Sequence, residues 1–284
     1  MAVDFGIDLG TATTLICNTD GEVLLNEPSL VIKSNTNGQI VAIGEEASEM
    51  LGRTPEGVAE VAPIRGGAIT GFNATVSMLK QFMKRVNRGT FGGVRAVIAV
   101  PCGISDVERR AVHEAAHNAG IKSVALMDAP LAAAAGCGVD VGAPHGSMVV
   151  NIGAGICEAA VVSLGGIVES HSIRTAGTSF DNAIAQYVKK QYSVAIGDST
   201  AEGIKISIGS VYSGIDRERI EINGRDMVTG LPKTAQVTTD EIKGCLSEPA
   251  EAIVDAVRVT LEKTPPELAA DIIESGIVLT GGGA

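Results

Sequence analysis

The chain has 284 residues, 45% hydrophobic and 19% charged, which allows two domains with substantial cores and places it outside the disordered class. A net charge of −11 argues against nucleic acid as the main partner and against a polybasic membrane anchor. Aromatic residues are only 3%, while glycine alone counts 35, a composition suited to tight turns and close backbone approach.

Val3 to Ile7 and Thr14 to Cys17 read as a strand pair around the turn Asp8-Leu9-Gly10-Thr11-Ala12-Thr13. The chain enters this strand at once, with no basic n-region or apolar h-region of a signal peptide. Leu30 to Lys33 and Gln39 to Ile43 are short strands around a turn-rich segment. Helical spacing runs from Ala74 to Val86, a loop spans Asn87 to Gly93, and Ala96 to Val100 is a buried strand. Ser105 and Glu108 form a capping box for a helix that Gly120 ends. Val124 to Met127 is a strand and Leu131 to Ala135 a helix. Asp128, Pro130 and Asp140 interrupt this apolar stretch, so it does not read as a transmembrane segment. Gly136 to Gly146 marks a domain boundary.

The pattern then restarts. Met148 to Val150, Glu158 to Leu164 and Ile167 to Ile173 read as three antiparallel strands. Helices follow at Phe180 to Tyr192 and Ala201 to Ile208, with a polar, turn-rich insertion from Gly209 to Thr239. A helix starts at Thr239-Asp240-Glu241, helical spacing covers Ala252 to Leu261, and a last strand, Ile277 to Thr280, runs into Gly281-Gly282-Gly283. Each half thus opens with a strand, a small-residue turn and a strand, which is the layout of a duplicated α/β core with an insertion in each half. The five cysteines form no CxxC motif and read as buried or incidental thiols of a reducing, cytoplasmic protein.

The paired turns carry the chemistry. A phosphate needs converging backbone N–H donors, and only small residues let the backbone come close enough. Gly10, Thr11, Ala12 and Thr13 meet that need in the first turn, and Gly153, Ala154 and Gly155 in the second. Mg²⁺ is held by one or two carboxylates together with phosphate oxygens, and Asp8 stands at the strand end to do so. The second turn has Asn151 in the corresponding place. Neither a Walker motif nor GxGxxG is present. Glu202 and Lys205 share a helix face and could hold a ribose, or form a surface ion pair. Gly281 to Gly283 could pass beneath a purine ring, or simply turn the chain. His113-Glu114-x-x-His117 fits the zinc-protease pattern, but at about 100° per residue both histidines oppose the apolar face formed by Val107, Ala111, Val112, Ala115, Ala116 and Ala119. Ser123 also stands where a third ligand is needed.

The ordered segments GIDLGTATTL, LNEPSLV, MLGRTP, VPCGISDVERRAV, GSMVVNIGAG, VVSLGGIV, GRDMVTGLPKT and KTPPELAADIIESGIVLTGGGA resemble the MreB/Mbl family of bacterial actin-like, rod-shape-determining proteins. The resemblance implies the actin-like, ribonuclease H-like duplicated ATPase fold: a first lobe at 1–146 with an insertion at about 33–68, and a second at 147–284 with an insertion at about 186–250. It implies ATP and Mg²⁺ in the cleft between the lobes. It also implies filaments of self-associated chains, cell-wall synthesis and membrane-associated morphogenesis partners, and a place in the cytoplasm at the membrane surface. For membrane contact the Asn87 to Gly93 loop offers only Phe91 as an apolar tip. In this frame the two turns bind phosphates, with Ile156 in the second. Glu202, Gly203, Ile204 and Lys205 face the nucleoside, and Gly281, Gly282, Gly283 and Ala284 the adenine.

Three departures from the family pattern follow. The family's DIGGGTTE reads NIGAGICE here, so Asn151 is a weak Mg²⁺ partner and Ala154 and Ile156 replace a glycine and a hydroxyl. The family's EEP reads Asp128-Ala129-Pro130, so no glutamate orients the attacking water at position 129, a loss typically of ~10²–10⁴ in rate. The family continues beyond the glycine loop with elements that complete the first lobe, whereas this sequence stops at Ala284, leaving apolar surface to be covered. The expectation is an ATP-binding filament protein with weakened hydrolysis and no intact catalytic set, Ala129 and Asn151 occupying the family's positions. The alternatives are use of Asp128 for hydrolysis, a non-hydrolysing or nucleotide-free scaffold, and, distantly, a zinc protease.

Overall fold

In strand β1 (Val3–Leu9), Phe5, Ile7 and Leu9 are buried and alternate with Asp4, Gly6 and Asp8, so one face enters a core while the other carries polar groups. The computed structural model describes residues 3–87, 93–212 and 218–284. From β1 the chain folds back into β2 (Thr13–Cys17) and β3 (Val23–Pro28). A small sheet follows, built of β4 (Val31–Ser34), β5 (Ile40–Ile43) and, beyond helix α1 (Glu45–Glu49), β6 (Val58–Val61). The short hairpin β7 (Ile64–Arg65) and β8 (Ala68–Ile69) leads into α2 (Phe72–Val86). Then come β9 (Val94–Val100), α3 (Asp106–Asn118) and β10 (Ile121–Asp128). The main sheet of this half has the order β10-β9-β1-β2-β3, with α2 and α3 against it.

Helix α4 (Ala129–Gly136) starts at Pro130 in its first turn and connects the halves, packing on both main sheets. The second half opens with β11 (Ser147–Ile152), β12 (Cys157–Ser163) and β13 (Gly166–Ile173). Next are α5 (Gly177–Tyr192), β14 (Val194–Ala195), α6 (Asp198–Ile208), β15 (Arg219–Asp226) and β16 (Pro232–Thr238). The described chain closes with α7 (Thr239–Lys263), α8 (Pro266–Ser275) and β17 (Ile277–Thr280). The second main sheet has the order β13-β12-β11-β17. The repeat is explicit in the pairing. β1 has antiparallel β2 on one side and parallel β9 on the other, and β11 has antiparallel β12 and parallel β17. Each sheet buries its own core, one around Ile16, Met78, Leu79 and Phe82, the other around Met148, Val161, Ile184 and Ile204.

Several elements differ from the sequence expectation. β3, α1, β6, β7, β8, β14 and α8 are additional. The polar insertion contains the β15–β16 hairpin, whose one apolar face buries Ile222, Ala235 and Val237, while Gly224 and Pro232 obscure the alternation in sequence. α7 is a single 25-residue helix that tolerates Pro249, and its capping residue is Thr238, which bonds reciprocally with Glu241. Val107 is 75% exposed, because it sits in the overhanging first turn of α3. Among the cysteines Cys137 is exposed rather than buried, and no disulfide forms among the described residues.

Candidate functional site

The two small-residue turns face one another across a cavity of about 290 Å³ between the main sheets. In the first turn, Ser29 donates its N–H to the Ala12 carbonyl at 2.8 Å and its hydroxyl to the Gly10 carbonyl at 2.8 Å. Thr14 holds that hydroxyl in turn, 2.8 Å away in the core. Across planar trans peptides the N–H groups of Thr11 and Thr13 point opposite to those carbonyls, and both residues line the cavity. The second turn is tied down the same way. The Gly153 and Ala154 carbonyls accept from the N–H groups of Gly177 and Thr178, at 3.0 and 2.8 Å. The amides of Ala154 and Gly155 are therefore directed away from α5. Two facing rows of amides line a concavity of the kind that suits an anion.

Closeness between the halves explains the glycines. A Cβ on Gly155 would lie 2.5 Å from Thr11 Oγ1 and 2.9 Å from Gly66 N. Gly281 has φ 93°, a left-handed conformation that lets the loop after β17 cross the end of β11 beside Ile152. The Gly283 N–H then bonds the Ile152 carbonyl at 2.9 Å. Gly67 N donates to Thr11 Oγ1 at 3.2 Å, tying the β7–β8 turn to the first loop.

Asp8 lines this cavity, and desolvation of its carboxyl by the surrounding protein raises its pKa above the ordinary carboxylate value. A charge that the site by itself disfavours is one that a cation would stabilise. The donors here, the Asp8 carboxylate and the Asn151 amide, are oxygen groups that suit Mg²⁺, which needs few protein ligands when phosphates supply the rest. Among the described residues no cluster of three or more His, Cys, Asp or Glu forms a metal cage.

The structure brings together Asp8, Gly10, Thr11, Ala12, Thr13, Ala129, Asn151, Gly153, Ala154, Gly155, Ile156, Glu202, Lys205, Gly281, Gly282 and Gly283 as cavity lining. Three candidates lie elsewhere. Ile204 is 2% exposed and packs in the second core, because it occupies the inward face of α6 with Ala201 and Ile208. Gly203 is exposed outside the cavity lining. Ala284 lines a separate apolar groove beside α7. Lys205 reaches the cavity but also pairs with Asp181 Oδ1 at 2.8 Å and donates to the Gly177 carbonyl at 3.3 Å, pinning α6 to α5. Asp128 does not line the cavity. Arg109 holds it at 3.0 Å.

Sequence reasoning missed Gly67, Pro101, Gly177 and above all Glu158. Glu158 is 1% exposed on β12, directly opposite Asn151 in the register, so both side chains rise from the same face. Its Oε1 accepts from Cys102 N–H at 2.6 Å and from the Ser172 hydroxyl at 3.2 Å, while Oε2 has no partner. Burial, more than any neighbour, pushes its pKa up to about 7. Burial and the adjacent carboxylates also push the Cys102 thiol up to about 12, so it is no nucleophile near neutral pH. His113 and His117 are exposed on α3, the arrangement of a solvated helix face. Phe91 lies outside the described residues. No described helix is long and apolar enough to cross a membrane.

Comparison with known proteins agrees with this geometry. The sequence profile of the family described as MreB/Mbl protein matches residues 2–284. The chain is 46% identical to the cell shape-determining protein Mbl of Bacillus cereus, over 100% of this chain and 85% of that protein. It is 46% identical to the cell shape-determining protein MreB of Escherichia coli K12, over 99% of this chain and 83% of that one. The structure superposes on MreB 5 of Spiroplasma citri bound to AMPPNP with a TM-score of 0.94 and 36% identity, covering 100% of this chain and 85% of that chain. It shares the fold of the MamK double helical filament, with a TM-score of 0.82 at 21% identity.

Proposed function

The chain belongs to the MreB/Mbl family of actin-like cell shape-determining proteins, and from that premise we propose that it binds ATP with Mg²⁺ between its two main sheets, self-assembles into filaments and hydrolyses the nucleotide slowly. The observation that carries this reading is the pair of amide-lined turns, each anchored by its own half, facing one cavity. Solved relatives holding AMPPNP and ADP support it. In this reading 1–146 and 147–284 are the two lobes, with insertions at about 33–68 and 186–250. The filament lies in the cytoplasm, where wall-synthesis and membrane-associated proteins are its partners.

The residues divide the work. The amides of Thr11 and Thr13 on one wall, and of Ala154 and Gly155 on the other, bind phosphate oxygens. Asp8 holds Mg²⁺, with Asn151 contributing a neutral oxygen. When bound, the metal neutralises phosphate charge. Glu202 receives the ribose, and Gly281 to Gly283 pass beside the base without side chains to obstruct it. At Ala129 a methyl group occupies the place of a water-orienting carboxylate, which lowers turnover by about 10²–10⁴. Loss of charge at Asn151 adds to that.

Titration calorimetry with Mg-ATP and Mg-ADP, together with electron microscopy with each nucleotide and with none, tests the reading. Binding together with nucleotide-dependent filaments is the expected result. Absence of binding at about millimolar nucleotide, a ~4 kcal/mol interaction, refutes it and favours the nucleotide-free scaffold. Phosphate release by wild type and by the double variant Ala129→Glu, Asn151→Asp tests slow turnover, and equal rates refute it.

A further inference from the structure

We propose that Glu158 takes the proton from the water that attacks a bound nucleoside triphosphate, in place of the carboxylate missing at Ala129. The proposal rests on the nucleotide-binding reading above and goes beyond it, because it assigns the residual chemistry to Glu158, the last residue of the NIGAGICE segment, to which that reading gives no role.

Glu158 rises from the same face of the second sheet as Asn151 and lines the cavity with Pro101 and Ala129. Its carboxyl is held from both halves of the molecule. Cys102 N–H comes from the turn after β9 in the first half, and the Ser172 hydroxyl from β13 in the second. Both bonds fall on Oε1, so the carboxyl cannot rotate freely, and Oε2 is left buried without a partner. A buried, unpartnered carboxylate oxygen beside a phosphate-binding turn is costly unless it has a chemical use or a bound water. The other carboxylates are committed or remote. Asp128 is held by Arg109 outside the cavity lining, Asp8 stands at the metal position, and Glu202 lies on α6.

The chemistry balances without a further reactant. One O–H bond of water breaks and its proton goes to Oε2. The water oxygen bonds to the terminal phosphorus, and the bond from that phosphorus to its bridging oxygen breaks, leaving the electron pair on the diphosphate. The titratable and charged groups around Glu158 are Asp128 at the β10–α4 junction, held by Arg109 of α3, and Cys102 after β9, while the neighbouring Cys157 points from the other face of β12 into the second core. Both thiols are pushed far above neutrality, Cys102 to about 12 and Cys157 to about 11, so neither titrates in the same range.

Glu158→Gln keeps the shape and both accepted bonds while removing the base. Calorimetry with Mg-ATP should give an affinity within about threefold of wild type, while phosphate release falls about 100-fold or more. Nucleotide recovered from the variant should be the triphosphate. The wild-type rate should fall as pH drops through neutrality. Ser172→Ala removes a bond that favours the ionised form, so it should move that acid limb to higher pH. In the nucleotide-free protein, carbon-13 spectra of labelled glutamate should show one carboxyl titrating near neutrality that is absent in Glu158→Gln and displaced upward in Ser172→Ala. Three results overturn the proposal while leaving nucleotide binding intact: ATP binding without any wild-type release, release by Glu158→Gln within about twofold of wild type, or an acid limb unmoved in Ser172→Ala. Failure of wild type to bind ATP overturns both readings. If Glu158→Gln does not fold, Ser172→Ala decides alone, through the position of the acid limb of phosphate release.

Discussion

Replacing Gly155 by alanine puts a methyl group into the seam between the halves. The new Cβ would stand 2.5 Å from Thr11 Oγ1, 2.9 Å from Thr11 Cγ2 and 2.9 Å from Gly66 N. Carbon contacts are comfortable only near 3.5–4.0 Å, so something must move. Gly66 N is backbone and cannot rotate aside. Thr11 can rotate, but doing so releases the bond from Gly67 N–H at 3.2 Å, worth about 1 kcal/mol. Overpacking of this kind costs about 1–3 kcal/mol. All three crowded atoms belong to the first half and the methyl to the second, so the cost falls on the approach of the turns rather than on either sheet. At 1.4 kcal/mol per tenfold, Mg-ATP should bind roughly 5- to 140-fold more weakly to Gly155→Ala. Calorimetry reads the affinity, and urea unfolding shows that the cores remain intact. An affinity within about twofold of wild type would refute the reasoning, because it would mean that the turns need not approach this closely to hold phosphate.

Other predictions separate site from scaffold. Gly203→Ala fills open space in the interior of α6 and should stabilise the fold by about 0.5–1 kcal/mol in urea unfolding. It should leave Mg-ATP affinity unchanged, since Gly203 lies outside the cavity lining. Glu158 has a folded pKa of about 7 against an ordinary value of 4.5. Stability from this group is therefore fully present below about pH 4.5 and lost as pH rises through about 7. Denaturant unfolding across that window should show wild type losing of order 3 kcal/mol relative to Glu158→Gln, and parallel pH profiles would contradict the assignment. Ser105→Ala removes the acceptor for Glu108 N–H at the start of α3 and should cost about 1 kcal/mol of stability, read by thermal or urea unfolding, without changing nucleotide affinity.

Much of the site was legible because its parts are local. Asp8 to Thr13 and Asn151 to Ile156 are contiguous turns between paired strands, so each set of small residues stands together in the sequence. Glu202 and Lys205 meet through helical spacing, although the same periodicity sends Ile204 to the core and Gly203 out of the cavity. The β15–β16 hairpin was hidden because only one face is buried, and its apolar positions are sparse among charged ones. Val107 shows the limit of a helical wheel, which gives direction around the axis but not whether a first turn has anything to pack against.

The sequence by itself determined the duplicated strand–turn–strand plan, the small residues of its two turns, the cap of α3, and the neutral side chains at Asn151 and Ala129. These depend on neighbours within a few positions, where periodicity and capping act. Only the tertiary structure decided that Glu158 belongs to the cavity. Its orienting partner, Cys102, is 56 residues away, in the other half of the molecule. Its place at the end of NIGAGICE sets it beside the second turn, but its burial, its unpartnered oxygen and its raised pKa arise only when the two sheets close on one another.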